Sequence, residues 1–187
     1  MKKLSEKQGL IKLQKLREDY RGAIAAGYEH KAKSCLTCET QGACCLDAHF
    51  VNVHITRLEA VAIRETLAAL PAEKREDVYR RVEETIEKYG LRAEGDTFAR
   101  TYACPLFEKG TGCLVHNTGK PLPCIQHACY ENREDLPPDE LLTEQEESVG
   151  SLNRRVYGES LWMPLPLWIA KGQGLAGEAG GGIKPWS

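Results

Sequence analysis

Four of the eight cysteines in the chain fall inside one stretch of eleven residues, CLTCETQGACC, running from Cys35 to Cys45. Thiolates bind metal ions, and the Cys35-x-x-Cys38 spacing lets a single turn present two sulfurs to one site. The neighbouring pair Cys44 and Cys45 follows at once and strengthens that reading. The other four, Cys104, Cys113, Cys124 and Cys129, are spread over a segment broken by Gly95, Gly110, Gly112, Gly119, Pro105, Pro121 and Pro123. Backbone so short of regular elements needs something to organise it, and a metal held by thiolates would do so.

Zinc and iron–sulfur chemistry make different demands. Structural zinc takes four ligands at a tetrahedron, usually from two C-x-x-C-like pairs. Successive side chains on an extended backbone point to opposite faces, so adjacent Cys44 and Cys45 suit that poorly. An iron–sulfur cluster offers separate irons, each wanting one thiolate. The expectation is one or two [4Fe–4S] clusters held by Cys35, Cys38, Cys44, Cys45, Cys104, Cys113, Cys124 and Cys129. Zinc in a structural or interaction module is the alternative, and redox-active thiols without metal are a third reading. An enzyme using the metal centre, acting on a protein or small molecule, is a further possibility the residues leave open.

His127, between Cys124 and Cys129, is either a ligand or proton donor at the metal or an ordinary loop histidine. His116, His30, His49 and His54 read as structural. The carboxylates form no paired signature, and no GxSxG, P-loop or GxGxxG is present, so hydrolase, NTPase and dinucleotide-binding classes gain no support.

The order of these motifs resembles the bacterial YkgJ-type cysteine-cluster family, described as a zinc- or iron-chelating domain. That family shows a CxxC…CC cluster followed by a segment like C-P-[FL]-L…G-C-x-I-Y-x-x-R-P-x-x-C. Here Cys35, Cys38, Cys44 and Cys45 match the first cluster. Cys104 with Pro105, Leu106 and Phe107 matches the second block, and Gly112, Cys113, Pro121 and Cys124 the third. The resemblance spans about residues 35–130. It implies a chelated metal, and a flagellin lysine methylase with a similar cluster implies that such a domain can serve an enzyme. The chain departs from the pattern in having His116 for tyrosine, Lys120 for arginine, five residues between Cys38 and Cys44, and a Cys113–Cys124 loop one residue longer. Cys129 and His127 lie outside the motif.

The bulk properties fit this chemistry. A chain of 187 residues can bury a core without disulfide staples. A net charge of −2, with 25 basic and 27 acidic residues interspersed, gives no footprint for nucleic acid. The basic N-terminus lacks the apolar core of a secretory signal, and there is no run of about 18 apolar residues for a membrane span. The expected compartment is the cytoplasm, where thiols stay reduced and eight cysteines mean metal or redox chemistry rather than disulfides. No protein or small-molecule partner is specified.

The elements that must position the thiols are mainly helical. Ser5 with Gln8 forms a capping box before an apolar stripe of Leu10, Leu13, Leu16 or Arg17, Tyr20 and Ile24. Val51, Val53 and Ile55 alternate with Asn52 and His54 as a short strand. Thr56 with Glu59 caps a helix to about Leu70. Pro71 precedes another, Ala72 to Tyr89, ended by Gly90. Thr143 with Glu146 predicts a third capping box, with Val149, Leu152 and Val156 on one face. The expected architecture is a small, mainly α domain over 1–160, with two cysteine-rich loop regions organised around metal and little β. The tail, 161–187, is first apolar (Trp162, Met163, Leu165, Leu167, Trp168, Ile169) and then glycine-rich. Its apolar part either folds back on the body or contacts a partner.

Overall fold

A computed structural model describes residues 2–33, 39–46 and 51–172. Among them the protein is mainly α. Helix α1 spans Glu6–Gly27, α2 Arg57–Ala68, α3 Ala72–Tyr89, α4 Leu122–Gln126, α5 Asp139–Tyr157 and α6 Leu165–Lys171. The β structure consists of three two-stranded antiparallel ladders. Strand β1 (Ala32–Lys33) pairs with β5 (Cys129–Tyr130), β2 (His54–Thr56) with β6 (Trp162–Pro164), and β3 (Phe107–Glu108) with β4 (Gly112–Cys113).

Both capping boxes in the first half of the chain form. The Ser5 hydroxyl accepts from the Gln8 N–H, and the Gln8 side chain accepts from the Ser5 N–H. Thr56 and Glu59 do the same at α2. Gly90 ends α3 in the left-handed region at φ 58°. The third box does not form. Helix α5 begins five residues earlier, after Pro138, with Asp139 and Glu140 in its first turn. Carboxylates there meet the positive helix end. Thr143 is thus inside the helix, its hydroxyl donating back to the Asp139 carbonyl at 3.1 Å. The strand expected over Val51–Ile55 is instead the three residues His54–Thr56 of β2, and His54, expected on the side opposite Ile55, is buried along with it.

The core has two main parts, with α2 between them. Leu13, Tyr20 and Ile24 of α1 pack with Leu58, Leu122, Ile125, Val149 and Leu152. Ile63 and Leu67 on the other side of α2 pack with Val78 and Val82 of α3 and with Met163, Leu165, Trp168 and Ile169. The apolar segment near the C-terminal end therefore folds back: β6 hydrogen-bonds β2, and Trp168 is 2% exposed. Residues 173–187, the glycine-rich part, lie outside the described residues.

One ionic contact lies where α1 and α2 meet. Arg17 and Glu59 are 3% and 1% exposed, with Nη2 and Oε1 3.5 Å apart. Glu59 Oε2 also accepts from the Thr56 N–H at 3.0 Å and its hydroxyl at 3.2 Å, so one carboxylate completes the cap and faces the guanidinium. Removing one member of such a pair strands the other charge in a dry site. Glu59→Gln is expected to lower unfolding free energy by about 3 kcal/mol in urea titration. The joint replacement of Arg17 and Glu59 by methionine is expected to recover most of that loss.

Candidate metal centre

Three stretches of backbone bring cysteines toward one region. The first is the turn Thr40–Leu46, in which Ala43–Cys45 is a single 3-10 turn. Gly42 precedes it at φ 78°, and the Phe107 ring lies directly on that glycine: a Cβ there would come within 2.0 Å of the ring. No L side chain fits both conditions. The turn is stapled to the second stretch by the Cys104 N–H, which donates to the Cys45 carbonyl at 2.8 Å. The second stretch runs from Cys104 into the β3–β4 hairpin, whose register sets Cys113 opposite Phe107. The third is α4, started by Pro121 and carrying Cys124.

The thiols act on one another. Cys44 and Cys45 Sγ atoms are 4.0 Å apart. Cys45 also hydrogen-bonds the Cys104 thiol, and the charges of Cys113 and Cys104 are felt at Cys45. Cys124 feels Cys113, Cys45 and Cys44. Five of the expected ligands, Cys44, Cys45, Cys104, Cys113 and Cys124, are therefore neighbours, and all five are reduced. Cys129 lies in β5 opposite Lys33 of β1. Cys35, Cys38 and His49 lie outside the described residues. Among the described residues, no three His, Cys, Asp or Glu side chains already converge as a closed metal site.

The 3-10 turn removes the sequence argument against zinc. Cys44 and Cys45 are not on extended backbone, and their sulfurs share one side of the turn. Two thiolates on one tetrahedral ion with Zn–S of about 2.3 Å stand roughly 3.8 Å apart. The observed 4.0 Å lies close to that value.

The local charges are cationic. Lys120 acts on Cys44, Cys113 and Cys124 and on His116 and His127. It is half-buried and makes no ion pair among the described residues. Arg17 lies within electrostatic reach of Cys124 and leaves Nε and Nη2 without hydrogen-bond acceptors. No carboxylate stands among the principal charges acting on the thiols. Sequence reading placed Lys120 only as a departure from a motif and Arg17 only on an apolar stripe; neither stood out as part of a site.

Arginines also fix the loop between Cys113 and Cys124. Arg21 donates to the carbonyls of Asn117 at 3.1 Å and His116 at 2.9 Å, and Arg17 to that of Thr118 at 3.4 Å. The imidazoles of His116 and His127 are exposed, and burial of the ring region with Lys120 nearby lowers both pKa values. They stay neutral at neutral pH, as a ligating or proton-accepting histidine must. His54 is structural as expected. It contacts the Thr97 hydroxyl at 2.8 Å and stacks on Phe98 at 3.8 Å.

Cys44, Cys45, Cys113 and Cys124 are held protonated. The hydrogen bond to Cys104 takes Cys45 up to about 12, and burial takes Cys124 up to about 12. Cys44 is raised further, first by its contact with Cys45 and then by burial. No family model, curated protein or solved structure matches this chain.

Two outcomes follow. In metal-free protein the folded thiols keep protons that unfolded cysteines release from about pH 9 upward. The thiol contribution to stability is then fully present below pH 9 and lost as pH rises toward 12. The melting temperature of metal-free, reduced protein is expected to fall steadily from pH 8 to pH 10.5, and to fall less in Cys45→Ser or Cys124→Ser. Separately, Gly42→Ala is expected to lower the melting temperature, through left-handed strain of about 1–2 kcal/mol plus displacement of the Phe107 ring. Gly42→Ala combined with Phe107→Ala is expected to lose less than the two single changes added together.

Proposed function

We propose that this protein binds a metal centre through a thiolate cluster, with a [4Fe–4S] cluster as the leading reading. One observation carries it. Five thiols come together from three separate backbone stretches, a half-buried lysine acts on three of them (Cys44, Cys113 and Cys124), a buried arginine reaches Cys124, and no carboxylate is among the principal charges. Four thiolates around a dication carry a net charge of about −2, which suits cations and repels carboxylates. Five thiols also exceed what one tetrahedral ion takes. The resemblance to the YkgJ-type chelating family supports the same reading, as does the reducing cytoplasm expected for such thiols.

Zinc is the second reading, and the 4.0 Å separation of Cys44 and Cys45 favours it. In either case the residues of the chain do the same work. They release protons to become ligands, while Lys120 and Arg17 offset the charge that results.

The test is metal and acid-labile sulfide content with a visible spectrum, on protein purified without oxygen. About four irons and four sulfides per cluster, with broad visible absorption, support the leading reading. Colourless protein with stoichiometric zinc and no sulfide makes zinc the answer, and protein with neither metal after aerobic and anaerobic preparation sinks both. Cys45→Ser, Cys104→Ser and Cys124→Ser are each expected to lower metal occupancy at least several-fold. Lys120→Gln is expected to weaken metal binding about tenfold while leaving the metal-free fold intact.

A further inference from the structure

The face of α2 away from the thiols carries a second collection of cations. A cavity of about 240 Å³ is lined by Arg57, Arg64, Lys171, Trp168, Val61 and Glu6. An adjoining groove of about 400 Å³ shares Arg64 and Val61 and extends to Arg75 and Tyr79. The three cations that line the cavity come from two elements. Arg57 and Arg64 are on α2, seven residues apart and so on the same face two turns along. Lys171 is the last residue of α6.

Each cation is held in place by the fold. Arg57 stacks on the Tyr157 ring with its carbon 4.0 Å from the centroid and faces Glu159 at 3.8 Å. Arg64 Nη1 donates to the Trp168 carbonyl at 3.2 Å, and its guanidinium lies flat on the backbone of Gly172, where a Cβ would be 2.2 Å away. Lys171 lies over the Trp168 ring, 5.2 Å from the centroid. The cavity itself holds a single carboxylate, that of Glu6, and it already accepts from the Tyr157 hydroxyl at 2.5 Å. Trp168 adds a second, independent sign of a missing acceptor. It lines the cavity, is 2% exposed, and its indole N–H has no hydrogen-bond partner.

Arg57 and Arg64 are both more than half withdrawn from water, and burial first, with the charge of Arg57 a smaller cause, lowers the Arg64 pKa. Planar guanidinium groups fixed at two points match the oxygens of a tetrahedral oxyanion, and a flexible ammonium completes the charge. We propose that this cavity binds a phosphoryl group, with the remainder of a small phosphate monoester along the groove toward Tyr79. This site is separate from the thiols and does not depend on the metal reading.

Thermal shift and calorimetric titration at constant ionic strength test it, with inorganic phosphate, glycerol 3-phosphate and acetate as probes and sodium chloride as the control. Phosphate and the monoester are expected to raise the melting temperature saturably, and the monoester to bind more tightly. Arg64→Gln and Lys171→Gln are each expected to weaken that binding about tenfold or more, whereas Lys74→Gln, at an exposed pair elsewhere, leaves it unchanged. Because Arg64 also holds the Trp168 carbonyl, Lys171→Gln carries the test if Arg64→Gln fails to fold. No saturable effect of phosphate, equal binding by Lys171→Gln, or stabilisation by acetate alone would overturn the proposal.

Discussion

The buried contact of Arg17 with Glu59 is the constraint on which the arrangement around the thiols depends. Glu59 closes the cap of α2 by accepting from Thr56, and the same carboxylate fixes where α1 crosses that helix end. Arg17 Nη1 donates to the Thr118 carbonyl. The loop joining Cys113 to Cys124 is thereby positioned by an ion pair rather than by its own secondary structure. Buried pairs of this kind seldom add stability over well-packed apolar residues. What this one supplies is registration: a helix start, a helix crossing and a loop are set by one group of atoms. The donors that Arg17 leaves unmatched are the same feature seen from the thiol side.

Burial and thiol–thiol hydrogen bonds explain why the thiols are quiet. The reactive form of cysteine is the thiolate. Cys45 and Cys124, raised to about 12, hold almost none of it at neutral pH. Lys120 pulls the other way but is outweighed by burial and by thiol–thiol hydrogen bonds. Such groups are poor nucleophiles and slow to exchange with disulfides. Catalysis by free thiols therefore draws no support from this arrangement. The proposed metal would change the balance by displacing the protons directly, and the surrounding cations would then face an anionic centre rather than neutral sulfur.

Much of the scaffold was readable from local patterns. Ser5 with Gln8 and Thr56 with Glu59 mark helix starts because reciprocal capping is a short-range interaction, fully encoded in four residues. Thr143 with Glu146 has the same pattern and fails, because Pro138 and the acidic pair after it start the helix sooner. Pattern alone cannot rank two competing starts. The alternation of Val51, Val53 and Ile55 promised a strand with His54 outward. Tertiary contacts prevailed: β6 covers β2 on one side, and Thr97 and Phe98 enclose the imidazole. The thiols themselves were found by residue type and spacing. The backbone at Cys44 and Cys45 was not, because nothing in two adjacent cysteines distinguishes a 3-10 turn from an extended chain. That turn depends on Gly42 lying beneath Phe107, a contact between residues far apart in sequence. Lys120 and the cations of the second face are likewise ordinary charges in sequence and acquire meaning only from what surrounds them.

Helix α2 touches both regions, so the relation between them has a physical answer. Thr66 meets the Thr118 hydroxyl at 2.9 Å below the cysteine-bearing loop, and Arg64, half a turn away, reaches the Trp168 carbonyl. Coupling between two sites needs an element with two arrangements that each ligand would favour differently. Around these contacts α2 is regular helix, with Ala60, Ile63 and Leu67 packed at 0% exposure. Close-packed interiors resist the small rotations that would carry a signal along such a helix. The helix therefore acts as a common wall. If both proposed sites bind their ligands, occupation of one face would leave the geometry of the other unchanged, and the two stabilisations would add as those of independent ligands do.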